Sequence, residues 1–230
     1  MPVQYFNSAT FKFLRGLARN NSREWFNAHR DEYATHVRDP FLHLIADIGP
    51  ALTAISPHFV ADPRPNGGSL FRIHRDTRFS KDKTPYKTWA AARFFHTRHR
   101  ELEGGTPVFY LHIEPGECFI GGGLWHGTPE AVRRVRDYML NNPASWKKAT
   151  RSAAFRRHFD MSGESLSRPP RGYDPGHELI EDLKRKDFVC HAAIDDAVVT
   201  SPALVKTMQQ QLQRAAPLVD WLCGALDLDF

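Results

Sequence analysis

The chain has 230 residues, 41% hydrophobic and 25% charged, a globular composition that can support one sizeable core and excludes wholesale disorder. Its formal net charge is +5, yet residues 71–100 alone hold nine Arg and Lys against Asp76 and Asp82, leaving the rest slightly acidic. Basicity confined to one segment argues against an extended basic stripe and for a local field that steers an anionic partner.

No stretch approaches the roughly 18 apolar residues of a membrane span, and the first thirty residues hold no apolar signal core. A cytoplasmic protein with no membrane partner is expected. Cys118, Cys190 and Cys223 have no CxxC or Cys/His spacing and read as buried thiols of a reducing compartment.

In chain order, Ser8 offers a cap to a helix carrying Phe11, Leu14 and Leu17. Ser22 caps a second with Trp25, Phe26, His29, Tyr33 and Val37. Asp39-Pro40 reads as a cap plus first-turn proline for a third, striped by Phe41, Leu44, Ile45, Ile48, Leu52 and Ile55. The turn-rich ADPRPNGG at 61–68 closes this block, and the period changes to two. In LFRIHR (70–75), Phe71 and Ile73 should point one way, Arg72 and His74 the other. A strand follows at 92–96, and PVFYLHIEPGECFIGGG (107–123) predicts a hairpin turning at Pro115-Gly116-Glu117.

Phe109, Leu111 and Ile113 alternate with Tyr110, His112 and Glu114, the pattern of an antiparallel sheet with one packed and one open face. Paired as expected, Arg72, His74, Tyr110, His112 and Glu114 share the open face. Thr128-Pro129 starts a helix burying Val132, Val135 and Met139, and another spans 144–159. The loop SGESLSRPPRGYDPG (162–176) leads to a short helix at 178–186 and a strand at 188–194. Ser201-Pro202 opens a helical tail that Pro217 should interrupt. With no repeat and no linker, the expectation is a single α+β domain over 1–230. Its mainly antiparallel sheet has one face packed by N- and C-terminal helices and a polar face partly open.

The chemistry centres on FRIHRDTRFSKDKTPYKTW (71–89). Arg presents a rigid fork of donors that fits phosphate or carboxylate, and Lys adds a mobile charge. Arg72, Arg75 and Arg78 are the expected clamp, with Lys81, Lys83 and Lys87 supplying field. His74, Tyr110 and Arg171 are further ligand contacts, and His112 with Glu114 is the pair able to move a proton. Gly121–Gly123 before a helix is not a P-loop, since no Gly-Lys-Ser/Thr follows. The string His74-Arg75-Asp76 is not a kinase loop, since Lys81 stands where that motif needs Asn. No recognised metal-ligand spacing occurs, so no metal site is expected, and the sequence names no cofactor.

Three strings, FRIHRDTRFSKDKTPYKTW, FYLHIEPGECFIGGGLW and RPPRGYD, together resemble a conserved family catalogued as domain of unknown function number 2461. The resemblance extends to Trp25-Phe26 and to Leu183-Lys184 in EDLKRKDF. It implies one intact domain and brings no activity, cofactor or catalytic residue with it.

Three readings of the basic segment stand side by side. It binds, with or without turnover, a small anionic or phosphate-bearing ligand on the polar sheet face. It binds nucleic acid, with Phe79, Tyr86 and Trp89 stacking on bases. Or it is a structural ion-pair network locking helices to the sheet.

Overall fold

A computed structural model of the chain describes residues 3–102 and 105–230. Helix α1 (Ser8–Arg19) is capped by Asn7 rather than Ser8. The Asn7 side chain accepts the Ala9 N–H, and Thr10 returns a bond to the Asn7 N–H. Ser22 caps α2 (Arg23–Ala28) through the Trp25 N–H. Then α3 (Arg30–Tyr33) runs without a break through one π-helical turn, Ala34–Arg38, into α4 (Asp39–Ile55). Asp39 is therefore no cap. Arg38 before it is already helical, and Asp39 pairs with that arginine instead. Within the wide turn the His36 carbonyl accepts the buried Thr10 hydroxyl at 2.8 Å, tying α1 to the start of α4. Phe41, Leu44, Ile45, Ile48 and Leu52 form the buried stripe of α4.

One antiparallel sheet follows. Its strands are β1 (Phe59–Val60), β2 (Ala90–His96), β3 (Val108–Ile113), β4 (Phe119–Leu124), β5 (Asp160–Ser162) and β6 (Phe188–Ala193). They lie in the order β1-β2-β3-β4-β6-β5. Between β4 and β5 come α5 (Pro129–Asn141), α6 (Pro143–Arg151) and α7 (Ala153–Arg156). The helix expected over 144–159 thus divides at Ser152, whose side chain caps α7. The one expected at 178–186 shortens to α8 (Ile180–Leu183), and α9 (Asp196–Val199) follows β6.

The long α10 (Leu204–Ala225) lies on β4 and β3, with α4 beside it, and covers Phe94, Phe109, Leu111 and Ile120. It passes straight through Pro217, contrary to expectation. Pro217 sits on the solvent side, where water can satisfy the carbonyl that loses its amide partner, while Leu218, Val219 and Leu222 hold the helix to the core. The sheet admits α10 because Gly122 has no side chain. A Cβ there would lie 3.1 Å from Val219 Cγ2 and 3.2 Å from Phe109 Cδ1. The triple glycine lies inside β4 and serves packing.

Between β1 and β2 the chain leaves as a two-stranded arm. The N–H groups of Phe71 and Arg93 donate to Ala91 and Ser69, and those of Lys87 and Arg75 to Ile73 and Pro85. Residues 69–75 thus run antiparallel to 85–93. The arm docks on α2. The Asn21 side-chain amide accepts the Tyr86 N–H at 3.0 Å and donates to the Tyr86 carbonyl at 2.9 Å. The buried Tyr86 ring stacks on Phe26 with centroids 4.2 Å apart.

This docking corrects one expectation. Phe71 meets Tyr110 and Trp89 edge-on over the uncovered sheet face, whereas Ile73 is buried. His74 packs against Phe26 and Tyr86. Arg72 and His74 therefore do not share a sheet face with Tyr110, His112 and Glu114.

Candidate functional site

The tip of the arm is tied to itself. Arg75 donates to Asp82 and Thr84, and the Asp82 carboxylate also accepts the Thr84 N–H at 2.9 Å. Arg78 makes a two-pronged contact with Asp76 at 2.7 and 3.0 Å, and Lys83 Nζ donates to the Thr77 carbonyl at 2.9 Å. Hydrogen bonds from Arg78 and Arg75 pull the Asp76 and Asp82 carboxyl pKa values down to about 2. Lys81 is exposed and unpaired among the described residues, and Phe79 stands 94% exposed at the tip. Arg75, Arg78 and Lys83, expected to meet a ligand, are spent on loop geometry.

The base of the arm is different. Phe26 of α2 touches His74; Arg23 opens α2 three residues before Phe26, and Arg30 opens α3 just past the helix break at His29. From the arm come Arg72 and Lys87, whose Nζ donates back to the Arg72 carbonyl. No ion pair joins Arg23, Arg30, Arg72 or Lys87 to a carboxylate among the described residues. The His74 imidazole is held below its ordinary pKa by burial and then by the charges of Arg72, Lys87, Arg30 and Arg23. Four positive charges thus lie near enough to His74 to disfavour its protonation.

On the uncovered sheet face, register places Tyr110 opposite Arg93 and Gly121, and His112 opposite Ala91 and Phe119. Trp89 and Phe119 flank the His112 ring at 5.0 and 4.7 Å. Its edges are also engaged. Nδ1 lies 3.2 Å from the Tyr110 hydroxyl and Nε2 lies 3.2 Å from Glu114 Oε2, while Thr88 donates to Glu114 Oε1 at 2.9 Å. The carboxylate requires the proton on Nε2, so Nδ1 accepts from the phenol. Burial lowers the His112 pKa against the opposing pull of Glu114, and burial with the Glu114 charge raises that of Tyr110. The result is a hydrogen-bonded chain from the Tyr110 phenol through His112 to the Glu114 carboxylate, along which a proton can pass.

Arg171 belongs to the 162–176 loop, which Tyr173 pins to α5 by donating to Asp137 at 2.8 Å. No hydrogen bond or ion pair joins Arg171 to the arm among the described residues. Likewise, no group of three or more His, Cys, Asp or Glu suited to a metal ion occurs among them. No described helix is long and apolar enough to cross a membrane.

Sequence reasoning missed Arg23, Arg30 and Arg93 as site residues. For Arg93 a signal existed, because the β2 alternation puts it in step with Tyr110. For Arg23 and Arg30 none did, since nothing local reveals that Phe26 packs against the arm.

No curated protein and no solved structure matches the chain. The family model described as conserved hypothetical protein (DUF2461) matches residues 9–221, from within α1 to near the end of α10. That span takes in α2, the arm and the whole sheet, and by it the chain belongs to the DUF2461 family.

Proposed function

We propose that this protein binds a small anionic, phosphate-bearing ligand at the base of the arm. The observation that carries this reading is the approach of Arg23, Arg30, Arg72 and Lys87 to His74 with none of the four ion-paired to a carboxylate among the described residues. Like charges held together by a fold repel, and an oxyanion relieves that repulsion while filling the donors of two or three guanidinium groups. Binding favours the protonated form of His74, so the site takes up a proton with its anion and holds it more tightly as pH falls.

Where the ligand is turned over, the proton path is the neighbouring Tyr110–His112–Glu114 chain. Lys87 Nζ lies 5.1 Å from the Trp89 ring, which in turn flanks His112. Three free, buried cysteines suit a reducing, cytoplasmic setting. Against nucleic acid as partner, Tyr86 is buried under Phe26, and Trp89 lies between Lys87 and His112, so neither offers a free stacking face.

The test is thermal unfolding with phosphate, sulfate, sugar phosphates, nucleotides and a short oligonucleotide. A ligand at a hundred times its Kd adds about 2.7 kcal/mol, a rise of roughly 5–10 °C for a chain of this size. Arg72→Ala, at an exposed position, should abolish the rise while leaving the unliganded midpoint almost unchanged. A flat panel on the wild type, or a rise that survives in Arg72→Ala, refutes the reading.

A further inference from the structure

Arg93 on β2 is a charge without a polar side-chain partner among the described residues. Its guanidinium is withdrawn from water enough to depress its pKa, yet it makes no hydrogen bond or ion pair with a side chain or carbonyl among the described residues. Arg136 shows how the same fold treats a similarly withdrawn arginine, donating it to the Leu183 and Arg185 carbonyls at 2.7 and 2.8 Å. Arg93 instead lies against two rings, Phe71 at 5.4 Å and Phe95 at 6.0 Å from its Cζ. The ring faces attract the cation but supply no oxygen acceptor for its N–H donors.

The same Phe71 ring carries a second cation, Lys87 Nζ, at 5.5 Å. The two charges therefore lie within about 11 Å of one another, both against the same aromatic ring. One belongs to the cluster at the arm base and the other stands on the open sheet face opposite Tyr110.

Resting on the reading that the arm base binds phosphate, we infer that Arg93 is a second anion anchor of the same site and that the ligand is a small molecule with two separated anionic groups. One group sits among Arg23, Arg30, Arg72 and Lys87. The other, a second phosphate or a carboxylate, takes the fork of Arg93 beside the Tyr110 phenol. The body between them passes over Phe71. Phe71 serves here as a seat for cations, which distinguishes the surface from a stacking platform for bases.

Titration calorimetry on the full chain tests this with three probes: inorganic phosphate, fructose 6-phosphate and fructose 1,6-bisphosphate. The bisphosphate should bind at least about tenfold more tightly than either monophosphate, as one added charge-assisted contact implies. Arg93→Gln should reduce the bisphosphate to the affinity of the monophosphate, Arg93→Lys should recover part of the gain, and Arg72→Ala should weaken all three. Equal affinities in the wild type, or a bisphosphate gain that persists in Arg93→Gln, overturn the inference while phosphate binding at the base stands. Should Arg93→Gln misfold, the Arg93→Lys comparison still decides, because an unaltered gain there removes the forked contact. Absence of binding by every probe overturns both readings together. An oligonucleotide that binds more tightly than the bisphosphate and loses affinity in Phe79→Ser makes the partner a nucleic acid and overturns this one.

Discussion

Asn21→Ala tests how the arm is held. The Asn21 amide makes both hydrogen bonds to the Tyr86 backbone, at 3.0 and 2.9 Å, acting as a one-residue strand between α1 and the arm. Each such bond contributes about 1 kcal/mol net, and removing a partner from a buried backbone group costs more than that mean. Tyr86 is only 4% exposed, so the two orphaned groups are poorly hydrated and the expected loss is about 2–3 kcal/mol. At roughly 2–4 °C per kcal/mol for this chain length, the melting midpoint should fall by about 4–12 °C. Asn21→Asp keeps an acceptor for the Tyr86 N–H and loses the donor, so about half the loss is expected. If the arm undocks before the core melts, the change appears instead as faster hydrogen exchange at the Tyr86 amide. A midpoint unchanged to within a degree, with that amide as protected as before, would show that the Phe26–Tyr86 stack alone holds the arm.

Gly122→Val should lower the urea midpoint by the equivalent of about 1–3 kcal/mol with little change in slope, because its side chain must displace Val219 or Phe109; an unaltered midpoint would mean α10 does not bear on β4 as described. Stability should fall on acidification from pH 7.5 to 5.5. His74, His96, His99 and His112 are all held below their ordinary pKa chiefly by burial, so the unfolded chain, titrating near about 6.5, binds more protons through this window. A melting midpoint that is flat or rises toward pH 5.5 contradicts this, and the Asp76 and Asp82 pairs do not interfere, since their carboxyls titrate far lower, at about 2. Arg75→Ala removes a pair whose aspartate lies open to water, so proteolysis within 76–83 should quicken while the global midpoint barely moves; a large drop would couple the tip to the core.

The hairpin of β3 and β4 was legible because two signals agree, strict alternation in Phe109–Glu114 and a Pro-Gly turn. Alternation failed at Phe71 for a physical reason. Leu70 bridges Ala92, and His74 bridges Tyr86, so four steps on the outgoing side face six on the returning side. The extra chain acts as a bulge and twists the arm off the sheet between Phe71 and Ile73. Residues of the same parity then meet different surfaces, Phe71 the sheet and Ile73 the core. Pro217 misled because a proline stops a helix only where its lost hydrogen bond and its ring cannot be accommodated, and a solvent-facing position on a helix anchored by Leu218, Val219 and Leu222 accommodates both. The cation cluster was half legible. Arg72, His74 and Lys87 all belong to the basic string, whereas Arg23 and Arg30 reach it only through the packing of Phe26 against His74 and Tyr86.

That division also splits the basic segment into two parts. Counted along the chain, residues 71–100 form one block of excess charge. Folded, the block separates by neighbour. Arg75 and Arg78 take Asp82 and Asp76, and Lys83 takes a carbonyl, so the tip behaves as the structural network that a basic run usually is. Those two aspartates are also the block's own acids. Once they are used at the tip, Arg72, Lys87 and Arg93 are left unneutralised, and the fold then adds Arg23 and Arg30 to them rather than an acid. A scaffold built only for stability would gain by placing one carboxylate at that junction. Among the described residues no ion pair fills that place, so the junction of α2, the arm and the open face of β2 and β3 keeps an excess of positive charge, which supports the proposal of an anionic ligand there.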